Sequence, residues 1–181
     1  MEVSEYLKIK KEVIRAGFDF EIEWARNIKP CKRSMDFFME YSWVVISSGM
    51  KNQVARKIWE RVQTALLEDQ PVLRVYRNKG KASAIESMWK AHEKAFQVYR
   101  HAHDKLAFLK GLPQIGEITK FHLAKNLGLD VCKPDRHLVR IASRNGLTPE
   151  QMCRKLSRLT GDRIATVDTV IWRAANLGII K

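Results

Sequence analysis

Apolar residues recur at intervals of three and four through almost the whole chain, and no stretch alternates apolar with polar residues long enough to make a useful strand. Tyr6, Ile9, Val13, Ile14 and Phe18 form one stripe over 6–20, and 22–27 either continues it or makes a short turn. Ser34 is placed to cap a helix through Phe37, Phe38, Tyr41, Val44 and Val45 that stops at Ser47-Ser48-Gly49. Val54, Ile58, Val62, Ala65 and Leu66 share a face over 52–67, and Ile85, Met88, Trp89, Ala95, Phe96 and Tyr99 mark a helix over 85–99. Shorter helices are expected near 103–110, 117–127 and 136–145. Thr148 caps another, and a last helix over 166–177 stops at Gly178. Residues 68–83, with Pro71, Asn78 and Gly80, read as a connection. The fold class is all-α.

A chain of 181 residues suits one domain or two small lobes sharing a cleft. Lys and Arg number 33 against 20 Asp and Glu, a formal charge of +13, which attracts polyanions through long-range Coulomb forces and counterion release. Nucleic acid is the leading partner, with an acidic protein or a membrane surface as the alternative. Cys31, Cys132 and Cys153 lie far apart, an odd set that excludes a disulfide framework and a four-cysteine metal cluster and suits a reducing cytoplasm. No apolar run approaches the ~20 residues of a membrane span, and the N-terminus carries no secretory pattern. A monomer without cofactor or metal is expected.

The most informative stretch joins two apolar helices through Lys110-Gly111-Leu112-Pro113-Gln114-Ile115-Gly116. Glycine at both ends supplies the backbone freedom of a tight turn. Gly116 stands where the second helix begins, so its amide and those after it form an anion site favoured by the helix dipole, with Lys110 and Lys120 beside it. Nineteen residues past Gly116 comes Asp135, in Lys133-Pro134-Asp135-Arg136-His137-Leu138. A carboxylate at a helix start caps it, and the dipole stabilises its negative charge.

Leu112-Pro113-Gln114-Ile115-Gly116 followed by Pro134-Asp135-Arg136-His137 resembles the helix-hairpin-helix (HhH-GPD) superfamily of base-excision DNA glycosylases over about 35–180. The resemblance implies a two-lobed helical fold with a DNA-binding cleft between its lobes, treated as a single domain over 1–181. A lobe over about 35–100 takes in the N-terminal segment, a hairpin and catalytic region spans 103–145, and C-terminal helices occupy 148–178. It also implies double-stranded DNA as partner and a flipped nucleotide as substrate. The hairpin residues Lys110, Gly111, Leu112, Pro113, Ile115, Gly116 and Lys120 would hold a phosphate. Asp135 would be the catalytic carboxylate that stabilises positive charge on the sugar as the glycosidic bond breaks.

The departures from that pattern are informative. Bifunctional members carry a Schiff-base lysine two residues after the second hairpin glycine; here that position is Ile118. The cysteine cluster of iron–sulfur members is missing. A monofunctional, metal-free DNA glycosylase is therefore expected. Trp43, Gly49, Met50, Asn52, His137 and Asp168 are candidates for the base pocket or for a wedge filling the gap left by the flipped base, although aromatic residues at helical spacing more often pack in a core and Asp168 more often caps the last helix. The runs Glu40-Tyr41-Ser42-Trp43-Val44, Phe121-His122-Leu123-Ala124-Lys125 and Thr166-Val167-Asp168-Thr169 are similar to divergent phage and bacterial members of the superfamily. Some of these join an amine or amino acid to pyrophosphorylated hydroxymethyluracil in DNA. Three functions follow in order of expectation: a glycosylase, a DNA thymine-hypermodifying transferase with an amine or amino acid co-substrate, and a non-catalytic DNA-binding module. The sequence does not fix the base.

Overall fold

The computed structural model describes residues 1–180. Among the described residues there are ten α-helices, one short 3₁₀ turn and no strand. The helices are α1 (Val3–Arg15), α2 (Asp19–Asn27), α3 (Ser34–Ser47), α4 (Asn52–Leu67), α5 (Lys79–His101), α6 (Lys105–Lys110), α7 (Thr119–Asn126), α8 (Arg136–Ser143), α9 (Pro149–Thr160) and α10 (Ile164–Asn176). The 3₁₀ turn, Val72–Arg74, lies in the expected connection. That connection is shorter than expected because Asn78 accepts a hydrogen bond from the Lys81 amide and so starts α5 at Lys79. Ser34 does not cap α3. It is the first helical residue, and Arg33 before it is locked by a two-point contact with Asp36.

The chain divides into two compact units, one made of Met1–Pro30 with the chain from Ala124 onward, the other of Cys31–Leu123. The N-terminal segment is thus grouped with the C-terminal helices. The cause is α10, whose first eight residues are all buried, so it needs apolar cover on every side. Tyr6, Ile9 and Val13 of α1 and Ile22 of α2 join Val167, Val170, Ile171 and Ala174 of α10 in one core, completed by Leu138 and Ile141 of α8 and Met152 and Leu156 of α9. The expected stripe over 6–20 breaks at Gly17, whose φ of +84° turns the chain between α1 and α2, and Ile14 faces solvent.

A charged cluster closes this core at one end. The carboxylate of Asp162, only 7% exposed, accepts hydrogen bonds from Tyr6 Oη at 2.7 Å and Lys10 Nζ at 2.6 Å, with Arg26 at 3.6 Å. Burial opposes ionisation of Asp162, but the bonds from Lys10 and Tyr6 and the charges of Lys10 and Arg26 prevail and hold its carboxyl below the usual range.

In the second unit, α3 packs along α5 and α4, and α5 also meets the 3₁₀ turn and α6. Its core is aromatic: Phe37 lies 5.3 Å from Tyr99 and 5.9 Å from Phe96, and Phe38 lies 5.1 Å from Trp89, ring centre to ring centre. Burial pushes the Tyr99 hydroxyl up to about 12.

Gly128, at φ +90°, ends the stretch after α7 against Pro30, whose Cα would lie 2.7 Å from an added Cβ, with the Lys29 carbonyl closer still. Both obstacles are backbone and cannot rotate away. Gly128→Ala should destabilise the fold by about 2–5 kcal/mol from strain plus overpacking. Gly146→Ala, with φ +64° but open space at the Cβ position, should cost distinctly less. Thermal or urea unfolding of the two variants checks the order; equal losses would contradict the crowding account.

Candidate active site

Asp135 sits at the N-cap of α8 with φ −80° and ψ 172°. Its Oδ1 accepts hydrogen bonds from the amides of His137 at 2.9 Å and Leu138 at 3.1 Å, while its backbone carbonyl accepts from Val139 at 2.9 Å. Its Oδ2 accepts no hydrogen bond among the described residues, and the side chain is half-buried. The carboxylate is thus fixed by one oxygen and presents the other. This follows from sequence: Pro134 forces extended backbone before it, and Asp is among the best residues for two first-turn amides.

The loop carrying Asp135 is clamped on several sides. Asp130 accepts from the Ala165 amide at 3.0 Å at the start of α10, and Arg163 donates to the carbonyls of Ile28 at 2.8 Å and Gly128 at 3.0 Å. Cys132 is buried in the core, in hydrogen-bonding contact with Cys153. That contact, with burial, pushes the Cys153 thiol well up, so it is an inert packing group. The Lys133 amide donates to Asp168 Oδ2 at 3.3 Å, and the same oxygen holds Lys125 Nζ at 2.6 Å.

Asp168, 1% exposed, lies inside α10 and not at its start, so it does not cap the helix. Burial pushes its carboxyl upward against the Lys125 charge and the two hydrogen bonds. Lys125, 43 residues away in sequence, carried no signal that could have announced it. Lys133 stood in the Lys-Pro-Asp run but drew attention only to its neighbours. It is half-buried, and no carboxylate among the described residues lies within ion-pair distance of its ammonium. Burial pushes that ammonium below the ordinary lysine value; Asp135 opposes this, Lys125 adds to it and Asp168 opposes it. His137 has Nδ1 buried without a partner, while Nε2 faces Arg136 Nε at 3.4 Å.

The hairpin belongs to the unit of Cys31–Leu123 except for the end of α7. Asp104 caps α6 through the Ala107 amide at 2.9 Å, and Tyr41 Oη donates to the Pro113 carbonyl at 2.8 Å. Ile115 is buried and anchors the turn. The glycines do not supply the left-handed residue. Gly111 has φ −71°, and the positive value, +62°, falls at Gln114. Gly111 matters instead through close approach, since a Cβ there would lie 3.3 Å from the Phe108 carbonyl oxygen.

The second helix starts at Thr119, later than expected, and the Gly116 amide already donates to Thr119 Oγ1 at 2.7 Å. The amides of Glu117, Ile118 and Thr119 find no acceptor among the described residues. Lys110 and Lys120 are both bound to the Glu117 carboxylate, Lys120 at 2.6 Å, and these bonds hold the Glu117 carboxyl down at about 2. The two lysines and the acid carry a net charge of +1 where +2 was expected from the lysines alone.

The remaining candidates, Trp43, Gly49, Met50 and Asn52, belong to the unit of Cys31–Leu123. Trp43 packs edge-on against Trp59 at 5.8 Å, so its face is part of the α3–α4 packing. Gly49 takes φ +75°, Met50 is half-buried, and exposed Asn52 opens α4. Lys81, unremarked in the sequence beyond its basic neighbours, fixes this loop. Its Nζ binds the Ser48 carbonyl at 2.8 Å and the Ser48 hydroxyl at 3.2 Å. Among the described residues no helix is long and apolar enough to cross a membrane, and no group of three or more His, Cys, Asp or Glu could hold a metal ion.

Removing the Asp168 carboxylate strands buried Lys125 and releases the Lys133 amide. Asp168→Ala should cost about 3–5 kcal/mol of stability. The Lys125→Met/Asp168→Leu pair should recover much of that loss. Urea denaturation of single and double variants measures both; strict additivity would refute the coupling.

The fold is shared with two solved proteins. The 8-oxoguanine DNA glycosylase of Thermotoga maritima superposes with a TM-score of 0.70 over 94% of this chain and 93% of its own, at 18% identity. The 8-oxoguanine glycosylase/lyase of Methanocaldococcus jannaschii, solved with a 15mer DNA containing 8-oxoguanine, gives 0.68 over 96% and 98%, at 15% identity. No protein-family model matches the sequence, and no curated protein matches it significantly. At these identities the likeness establishes the all-helical glycosylase fold.

Proposed function

We propose that this chain, built on that fold, is a DNA glycosylase that turns one nucleotide out of the duplex and uses Asp135 to break its N-glycosidic bond. One observation carries the reading: Asp135 commits one carboxylate oxygen to the α8 amides and keeps the other unbonded, in a loop clamped to the core. As the bond between C1′ and the base lengthens, positive charge spreads over the sugar. A fixed carboxylate there stabilises the charge without reorganisation and orients water onto C1′, while the base leaves with the electron pair. Duplex DNA is met by the basic surface and by the free amides at the start of α7. Because both structural relatives act on 8-oxoguanine, that lesion is the first substrate to test.

The assay is alkali-induced strand breakage in duplexes carrying 8-oxoguanine and other oxidised, alkylated or mismatched bases. Asp135→Asn keeps the cap but not the charge and should lower excision by about 10²–10³-fold with DNA affinity retained. Intact strands across the panel would overturn the reading, and a mass gain on hydroxymethyluracil DNA supplied with its kinase and an amine would identify a transferase instead.

Glu117 competes with phosphate for Lys110 and Lys120. Glu117→Gln should therefore tighten duplex binding several-fold and steepen its dependence on log salt concentration by up to about 2. Titrations at several salt concentrations measure this; unchanged affinity and slope would remove the hairpin lysines from the DNA interface.

A further inference from the structure

The helix that Asp135 caps, α8, carries Arg136 and Arg140 and no acidic residue. Both arginines are exposed and stand four residues apart, so they share one face, about 6 Å apart along the axis. Nothing local offsets their charge. Arg136 is the first helical residue, where the helix dipole disfavours a cation, and like charges at this spacing repel. Among the described residues neither guanidinium has a carboxylate at ion-pair distance, whereas Arg26, Arg33, Arg154 and Arg173 each have one. Asp135 turns to the amides of His137 and Leu138 instead, and Arg136 Nε has only a long contact, 3.4 Å, to His137 Nε2. Helices α6 and α7 also lack acids, but their lysines are bound to Glu117, to Asp168 or to backbone carbonyls. On α8 the two cations are left facing solvent, at a cost that the fold does not explain.

We infer that Arg136 and Arg140 form a phosphate track, which grips the DNA strand carrying the nucleotide that Asp135 serves. The choice of strand rests on the proposed role of Asp135, because the carboxylate and the track stand on one helix. A guanidinium presents two parallel N–H donors to a phosphate, and its charge is retained at any pH the protein meets. Their separation of about 6 Å spans one to two nucleotides of a strand that rises ~3.4 Å per nucleotide, so the pair fits neighbouring phosphates. A bound strand would relieve both the repulsion within the pair and the opposition of Arg136 to the dipole. The track thus holds the backbone beside the reacting sugar and is separate from the hairpin amides and lysines.

The test is a binding cycle with the intact protein and a duplex holding a tetrahydrofuran abasic analogue, which no glycosylase can cleave. A neutral methylphosphonate replaces one phosphate at a time within three nucleotides of the analogue, on either strand. For the wild-type protein one or two replacements on the analogue strand should weaken binding several-fold. The Arg136→Gln/Arg140→Gln variant should bind the unmodified duplex more weakly, with its dependence on log salt concentration shallower by up to about 2, and should be nearly indifferent to the same replacements. Its unfolding midpoint reports that the fold is retained. Lys8→Gln/Lys11→Gln, which removes the same formal charge from exposed positions of α1, should keep the wild-type pattern. Replacements that cost wild type and the α8 variant the same factor everywhere, or that matter only on the complementary strand, overturn the inference, as does a wild-type protein that does not bind. Excision with no such pattern removes the track alone, and the full pattern without excision of any base leaves the track and removes the glycosylase.

Discussion

The ion pair between Lys125 and Asp168 joins α7 to the middle of α10, a helix otherwise surrounded by apolar side chains. Its attraction, about 4 kcal/mol at an effective dielectric of 20 and ~4 Å, is offset by a desolvation penalty of several kcal/mol for each ion. Such a pair contributes little net stability. Its contribution is geometric, because the oxygen that binds Lys125 also binds the Lys133 amide and so sets where the loop to Asp135 leaves the core. Cys132, packed on Cys153, points inward just before Lys133, and Pro134 biases the backbone of Lys133 towards the extended region. With the backbone held between these points, Asp135 meets the α8 amides in cap geometry. The candidate catalytic group is thus placed by a buried interaction two residues before it and 33 residues after it.

The hairpin is organised by different physics. Its turn is exposed, and its order comes from the Tyr41 bond to the Pro113 carbonyl and from buried Ile115. Its charges are compensated locally, because Glu117 holds both lysines where a bound phosphate would compete for them. An exposed arrangement of this kind contributes little to stability but sets what an incoming anion must displace. The strain at Gln114, a non-glycine residue at φ +62°, lies in the same turn, between two residues whose carbonyl and side chain are anchored.

The all-helical fold was legible because apolar spacing of three and four is a local property, and many positions on those stripes are buried, from Tyr6, Ile9 and Val13 to Val62, Ala65 and Leu66, while Ile14 and Val54 face solvent. The cap at Asp135 was legible for the same reason, since capping involves only the next three residues. What stayed hidden required partners distant in sequence. Nothing local distinguishes Lys125 from the other lysines of a strongly basic chain, and its role appears only when α10 brings Asp168 beside it. The same holds for the N-terminal segment, whose stripe says that it is covered but not by which helix. At the hairpin the error was subtler. Glycine in a turn suggested positive φ, but Gly111 has negative φ and lies close to the Phe108 carbonyl, and the left-handed residue is one whose identity gave no warning.

The charges around Asp135 set the electrostatic surroundings of its free carboxylate oxygen. Counting formal charges, Lys125 and Asp168 cancel, so the local balance rests on Lys133 and Asp135. With Lys133 protonated the four groups sum to zero. Burial pushes Lys133 below the ordinary lysine value, which weakens its compensation of the Asp135 charge. An ammonium kept half-buried without a carboxylate partner is a cost in folding that a capping aspartate alone would not require.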